Sequence, residues 1–370
     1  MSIAHRVFLL RFGLCALCAL FAFCAFCAAL GLAAGPAAAA DEAFPAKTWS
    51  TAQAAEPRTA WNPERLKAAD AIAATLRTDA YLVIHRGRLV HSYGDITRPR
   101  SLYSVRKSVL SVLTGIYVDR GVIDLDQTLA ALGADDVEAL SPQEKAASWR
   151  QLLQSKSGVY HPAAYETPDA KARRPARGSH APGAHWYYNN WDFNTAGALL
   201  QQRAGKTVFE ALRDELATPL QFEDFDLARD TDLVLERASR YPAYTMKLSA
   251  RDLARVGLLM ARSGRWSAGQ QLVSAKWVAE STAAHTAVMG GWQSYALMWW
   301  VPRRAWPFWK HAAGDVFFAW GNGGQYVFVD RGRDLVIVHQ VDRRWLFPHD
   351  VSPDAVSALL EEILGATPGE

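Results

Sequence analysis

Cysteine is confined to one short stretch of this 370-residue chain. All four, Cys15, Cys18, Cys24 and Cys27, lie in an uncharged apolar run from Phe12 to Ala34. Beyond that run there is no thiol, which excludes a cysteine nucleophile, a disulfide framework and a cysteine-ligated metal for the rest of the chain. None of the four follows the small residue that bacterial lipid attachment requires; Leu14, Leu17, Phe23 and Phe26 precede them. The G-x-S-x-G elbow of many hydrolases is missing. No internal repeat and no glycine-rich phosphate cradle occurs, because GNGGQ (321–325) opens a strand rather than a helix. His161, His180 and His185 show no i, i+4 ligand spacing and read as loop histidines, so no metal and no cofactor is expected. The formal charge of +3 falls close to neutral once Arg6 and Arg11 are set aside, which argues against a nucleic-acid or polyanionic partner.

What is present begins with those two arginines. A basic start, the apolar run, Pro36, an AAAA segment ending at Ala40 and the acidic pair Asp41–Glu42 have the order of a secretory signal peptide, with cleavage expected after Ala40. The run also has about the length of a membrane span, so an uncleaved anchor is the alternative, and only then would a membrane be a partner. The expected location is the periplasm or the exterior of a bacterium. About 330 residues then remain, enough for a large core without disulfides.

Residues 41–60, rich in Ala, Thr and Pro, read as an extended arm, and a helix follows from about Pro63 to Arg77. AYLVIHRGRLVHSYG places two apolar runs around Arg86–Gly87–Arg88, the pattern of a β-hairpin. GGQYVFVDRGRDLVIVHQV repeats it with a turn at Asp330–Asp334, and Val356, Leu359, Leu360 and Ile363 give Pro353–Leu364 a helical period. The middle, to about Ala283, is mostly helical. The expected fold class is therefore α/β of the α+β kind: an antiparallel sheet built from both termini, flanked by helices, with an inserted, mostly helical lobe. The sheet part is assigned to about 61–125 and 285–370, and the lobe to about 126–284. DAKARRPARG (169–178) is the one basic cluster, and its Pro and Gly mark a solvated loop.

Chemistry points to SLYSVRKSVLSVLTGIYVDRG (101–121). Val105, Val109, Val112, Leu113 and Ile116 form an apolar stripe, and Gly121 stands where the helix should stop. Ser104 and Lys107 share one face of its first turn. About one S-x-x-K is expected by chance in a chain this long, so the tetrapeptide is not decisive alone. Ser104 is, however, the only serine followed by lysine at the third position. A serine nucleophile needs a base within hydrogen-bond reach, and lysine can serve only if desolvation or a nearby positive charge lowers its pKa. A tyrosine could relay the proton. GAHWYYNNWDFNTAGALL (183–200) offers Tyr187 and Tyr188 in an aromatic loop that runs into a helix.

Ser104–Lys107, then Tyr188-Asn189-Asn190, then a strand-borne glycine motif near 319–325 occur in the order of the serine β-lactamase and penicillin-binding-protein superfamily, which this chain resembles. YLVIHRGRLV, WRQLLQSKSGV, KLSARDLARVGLLMARSGRW and GNGGQYVFVD extend the resemblance over nearly the whole chain from about residue 60. It is most similar to the branch with class C β-lactamases, family VIII esterases and 6-aminohexanoate-dimer hydrolases. The resemblance implies a β-lactamase/transpeptidase-like fold, with Ser104 as nucleophile, Lys107 as its base partner and Tyr188 as general acid/base; an alignment on Tyr187–Asn189 is the alternative. It also implies Asn190 as a substrate or network contact and Asn322, beside Gly321, as an oxyanion-hole donor together with the Ser104 N–H. Where most relatives carry K-T-G or H-T-G, this chain has Ala319-Trp320-Gly321. The missing charge and hydroxyl disfavour carboxylate-bearing β-lactams and D-alanyl peptides. The expected function is a serine hydrolase of small esters or linear amides. A β-lactamase or D-alanyl-D-alanine carboxypeptidase is the alternative, and a non-catalytic binding protein on the same scaffold is the alternative of another class. Trp292, Tyr295, Trp299, Trp300, Trp306, Phe308, Trp309, Phe317, Phe318 and Trp320 could line the substrate pocket, although most are expected on the buried face of strands.

Overall fold

The computed structural model describes residues 43–51, 61–267, 269–303, 315–342 and 350–368. The signal segment, residues 52–60 of the arm, and Trp306, Phe308 and Trp309 lie outside the described residues. The first helix, α1 (Pro63–Thr75), starts because Asn62 accepts hydrogen bonds from the Glu64 and Arg65 N–H groups and Pro63 fixes the first turn. It leads into the hairpin of β1 (Ala80–His85) and β2 (Arg88–Gly94). Arg86 and Gly87 both have positive φ (50° and 75°), the two-residue turn whose twist matches paired strands.

The buried helix α2 (Val105–Asp119) comes next. Further on are α3 (Pro168–Arg173), α4 (Asn190–Ala204) and α5 (Ala250–Ala261). The chain then returns to the sheet with β3 (Thr286–Val288), β4 (Gln293–Tyr295), β5 (Trp300–Pro302), β6 (Val316–Gly321), β7 (Gln325–Asp330) and β8 (Leu335–Gln340), and closes with α6 (Pro353–Gly365). The sheet order is β2-β1-β8-β7-β6-β5-β4-β3. All its described pairings are antiparallel, and β1 meets β8 in the register Ala80↔Gln340 to His85↔Leu335. The sheet is thus made from both ends of the fold, as the two hairpin patterns predict.

Alternation along β6 and β7 gives the sheet two apolar faces. Phe318, Trp320, Tyr326 and Phe328 face α6, meeting Val356 and Leu360. On the other face Val327 and Val336 meet α5 at Gly257. Gly321 ends β6 against the start of α2.

Three differences from the sequence reading have physical causes. First, α2 is buried on every side from Val105 to Tyr117, not along one stripe. It runs between the sheet and the helical layer, so its polar residues find partners inside: Ser108 Oγ donates to Met298 O (2.7 Å) and Thr114 Oγ1 to Leu110 O (2.8 Å). Second, the central segment also holds strands: Thr231–Val234 and Ala243–Leu248 form a small sheet with Arg100–Ser101, and Arg265–Ser267 pairs with Gln270–Gln271. Third, the basic cluster begins as a helix, α3, because Thr167 caps the Ala170 N–H and Pro168 occupies the first turn. Residues 43–51 carry no helix. They are held by Arg255, whose Nη1 and Nη2 donate to Ala46 O (3.0 Å) and Lys47 O (3.1 Å), and by Arg262, which donates to Ala43 O (2.7 Å).

His161 lies in a loop, as its sequence reads, but it is buried. Its Nε2 lies 3.2 Å from Glu144 Oε1 and its Nδ1 3.8 Å from Asp136 Oδ2. His180 and His185 stack at 4.1 Å. Among the described residues no group of three or more His, Asp or Glu side chains is arranged to hold a metal ion, and no helix is long and apolar enough to cross a membrane.

Candidate active site

Ser104 is the N-cap residue of α2, yet it does not cap. A capping serine usually has extended backbone and turns its oxygen back to the N–H groups of the first turn. Here φ is −78° and ψ −13°, and the side chain makes no capping bond. The hydroxyl lies instead 3.0 Å from Lys107 Nζ, one turn along the same face. The preceding Tyr103 has a φ of 47°, a left-handed conformation that costs about 1 kcal/mol or more in a residue with a side chain. That bend delivers Ser104 to the helix start, half-buried and open to a cleft.

Lys107 is 2% exposed. Its Nζ has three oxygen neighbours: Ser104 Oγ at 3.0 Å, Tyr188 OH at 3.0 Å and Asn190 Oδ1 at 2.8 Å. Asn190 is oriented by its own amide, which donates to Tyr165 O (2.7 Å). None of the three is a carboxylate. Two effects compete over the lysine's charge. The faces of Tyr188 and Phe193, with centroids 4.2 and 4.4 Å from Nζ, favour the ammonium by about 1–2 kcal/mol. Burial without a counter-ion and the neighbouring Arg106 guanidinium oppose it, and loss of water can shift a buried lysine by several pKa units. Burial first, and then the Arg106 charge, drive the Lys107 pKa well below its ordinary value. Burial acts the opposite way on the phenol, pushing Tyr188 up to about 12 in spite of a hydrogen bond with Ser104 and the nearby Arg106 charge. Burial therefore works against the charged form of both groups. A neutral amine has two protons for the Tyr188 and Asn190 oxygens and one lone pair facing the Ser104 hydroxyl.

The structure brings Tyr188, not Tyr187, to Lys107; the Tyr187 hydroxyl donates to Ala170 O (2.7 Å) in α3. Tyr188 and Asn190 are placed by a buried network at the start of α4. Asp192 accepts from Ser157 Oγ (2.5 Å) and Asn189 Nδ2 (2.9 Å), while Asn189 Nδ2 also reaches Val159 O (2.6 Å).

A cleft of about 570 Å³, the size of a small-molecule site, opens over Ser104. Asn322 lies in its wall beside Gly321, and Trp186, Tyr187, Tyr188, Trp300 and Trp320 form an aromatic side. Thr167, Asp169, Ala170 and Arg173 of the α3 segment and Met289 complete it. A Cβ on Gly321 would stand 2.5 Å from Leu102 O and 3.2 Å from Ser104 N, so the end of β6 reaches the helix start only as glycine. This close approach sets Asn322 next to Ser104. Ala319 is fully buried, and Trp320, on the alternate face, is half-buried between Trp300 (5.5 Å) and Tyr326 (6.3 Å).

Of the aromatic series, Trp300 and Trp320 reach the cleft, whereas Tyr295, Trp299, Phe317 and Phe318 are core and Trp292 is exposed. The α3 wall was not legible as part of the site, because its sequence signal is only a helix start. Trp186 had a signal in its place beside Tyr187 and Tyr188.

A family model described as Beta-lactamase matches residues 65–344. Solved structures with the same fold include a Bacillus anthracis protein assigned as a 6-aminohexanoate-dimer hydrolase (TM-score 0.57, 20% identity, 79% of each chain covered). A penicillin-binding protein homologue from Caulobacter crescentus is similar at TM-score 0.60 and 18% identity, covering 83% of this chain and 99% of that one. EstCE1, a hydrolase with promiscuous acyltransferase activity, is similar at TM-score 0.57 and 15% identity, covering 83% and 98%. No curated protein matches the sequence. At such identities the structures establish the fold, and the family follows from the model that spans most of the chain: this protein belongs to the beta-lactamase family, whose members are serine hydrolases.

Proposed function

We propose that this protein is a serine hydrolase that cleaves small ester or linear amide bonds through an acyl-enzyme on Ser104. The observation that carries the reading is the placement of Lys107 Nζ 3.0 Å from both Ser104 Oγ and Tyr188 OH, buried and without a carboxylate partner. As a free amine, Lys107 takes the Ser104 proton while Oγ bonds to the substrate carbonyl carbon. The carbonyl oxygen becomes an oxyanion, held by the N–H groups of Ser104 and Asn322. When the bond to the leaving group breaks, the Tyr188 hydroxyl passes its proton to that group and is reprotonated from Lys107. Water then attacks the acyl carbon, the same groups run in reverse, and Ser104 is released. Trp300 and Trp320 give the substrate an apolar bed. An exported, periplasmic or secreted location accompanies this reading, on the strength of the N-terminal segment.

A fluorophosphonate probe and a p-nitrophenyl ester test the assignment together. The wild-type protein should label covalently and hydrolyse the ester, and Ser104→Ala should do neither. Ester turnover unchanged in Ser104→Ala would sink the assignment, and absence of labelling in the wild type would favour a binding protein. The family description favours one rival, β-lactam hydrolysis. Ala319 and Trp320 offer no cation or hydroxyl to a β-lactam carboxylate, so nitrocefin turnover should be far below ester turnover; parity would reverse the preference.

A further inference from the structure

Arg106 is 1% exposed and poorly satisfied. Its Nη2 donates to Asn194 Oδ1 at 3.2 Å, an amide locked in place by its own bond to Ala164 O (3.1 Å). The guanidinium lies 4.3 Å from the centre of the Tyr244 ring and 5.7 Å from that of Tyr165. Its Nε and Nη1 have no partner, and among the described residues no carboxylate stands within ion-pair distance. Of the other buried arginines, Arg100 donates to main-chain oxygens, Asp95 O (2.7 Å) and Arg98 O (3.2 Å), and two have carboxylate partners. Arg255 pairs with Glu223 (2.9 Å) and Arg262 with Asp334 (2.8 Å). An arginine keeps its charge inside a protein, so an unpaired buried guanidinium is strongly unfavourable to folding and calls for a compensating use.

That use follows from position. Arg106 precedes Lys107 on α2, and Asn194, which orients it, lies one turn beyond Asn190, which orients Lys107. The groups around Lys107 are Ser104 and Arg106 from its own helix, Tyr188, Asn190 and Phe193 from the start of α4, and Tyr295 of β4 and Tyr244 of the small sheet beyond them. The nearby carboxyl on α4, Asp192, is turned to Ser157 and Asn189, and burial raises its pKa well above the usual carboxylate range. Its oxygens are thus engaged away from Arg106 and Lys107.

We propose that Arg106 is a positioning residue of the hydrolytic site: an uncompensated buried guanidinium whose fixed charge holds Lys107 as the free amine the reaction needs. The inference rests on Lys107 acting as the base. Burial in α2 and the Arg106 charge act in the same direction on Lys107, lowering its pKa against the two ring faces that favour the ammonium.

The test replaces the charge with neutral side chains of similar length, Arg106→Gln and Arg106→Met, and records kcat/KM for a p-nitrophenyl ester against pH. Removing a positive charge stabilises the Lys107 ammonium. The acid limb of the profile should therefore move to higher pH by about one unit or more, a loss of about tenfold at any pH below the limb. The high-pH plateau should stay within a few-fold of wild type. An acid limb that stays in place, with only the melting temperature lowered, would overturn the proposal, because a merely structural guanidinium predicts that outcome. If neither variant folds, the ε-carbon NMR signal of Lys107 in ¹³C-labelled Ser104→Ala protein, assigned by its loss in Lys107→Met, decides: a free amine at pH 7 supports the proposal and an ammonium overturns it. That readout does not depend on turnover. Failure of the serine assignment would show separately, as ester hydrolysis that survives Ser104→Ala.

Discussion

Two adjacent tyrosines, Tyr187 and Tyr188, compete for one role in the sequence, and their hydroxyls end in different places. Tyr188 lies against Lys107, whereas Tyr187 donates to a main-chain oxygen of α3. With the proposed proton path, Tyr188→Phe should lower kcat for ester hydrolysis by about 10²–10³-fold, the usual worth of a positioned proton donor. Tyr187→Phe should remain within about threefold, since it loses one hydrogen bond at the cleft wall. Steady-state kinetics of the two variants separates them, and the reverse ranking would move the relay to Tyr187. The resemblance favours Tyr188 by its spacing to Gly197, while the residues by themselves leave Tyr187 open, because one residue of slip changes which side chain points inward. At Lys107 the limit was different. The sequence shows a lysine on the right face, but its ionisation depends on burial from elements far along the chain, and no local pattern reports that.

At the scale of the element, α2 was legible as a helix and its end at Gly121 was readable, but its depth was not. Ser108, Ser111 and Thr114 broke the apolar pattern into a stripe, and a stripe reads as one wet face; the face is covered by other layers, with Ser108 bonded to Met298 O and Thr114 to Leu110 O of its own helix. The hairpins were read well because apolar runs and turn residues are local signals. β3 to β5, each three residues long, have too little length to carry such a signal. The contact between β6 and α2 has consequences that two glycines separate. Gly321→Ala would drive a Cβ into the Leu102 carbonyl and the Ser104 backbone, which cannot yield without moving the helix start. Gly115→Ala would meet the Trp277 ring at 2.2 Å, on a part of α2 remote from the cleft. Both should cost about 1–3 kcal/mol of stability, the usual range for overpacking. Only Gly321→Ala should also reduce kcat at a temperature where both variants are folded. Thermal melts beside turnover check this, and equal kcat losses would show that β6 does not position the site.

For the molecule as a whole, His339 is a useful reporter. In β8 it joins three parts of the chain: Nδ1 lies 2.7 Å from Gly324 O, in the turn after Asn322, and Nε2 lies 2.8 Å from Thr78 Oγ1, just before β1. A carbonyl only accepts, so Nδ1 carries the proton and Nε2 accepts from Thr78. Burial lowers the His339 pKa to about 4, from 6.5 when unfolded. The unfolded chain thus binds the extra proton first, and the contribution of His339 is complete above pH 6.5 and falls as pH drops toward 4. The loss is at most about 1.4 kcal/mol per pH unit. Asp252, raised to about 6 by burial, works in the opposite sense but cancels in a comparison with His339→Gln. That variant should be less stable than wild type at pH 7, and denaturant titrations should find the gap narrower by about 1 kcal/mol or more at pH 4.5. A gap independent of pH would mean that His339 titrates normally. The pairing of β1 with β8 also bears on when the molecule acquires activity. A chain synthesised as far as α5 already holds Ser104, Lys107 and Tyr188, yet it has no β6 to meet the helix start and no β8 to complete β1. Such long-range closure is slow and comes late. On the proposed reading, hydrolytic competence therefore switches on only when the last strands dock, and no nascent fragment can act as a premature esterase.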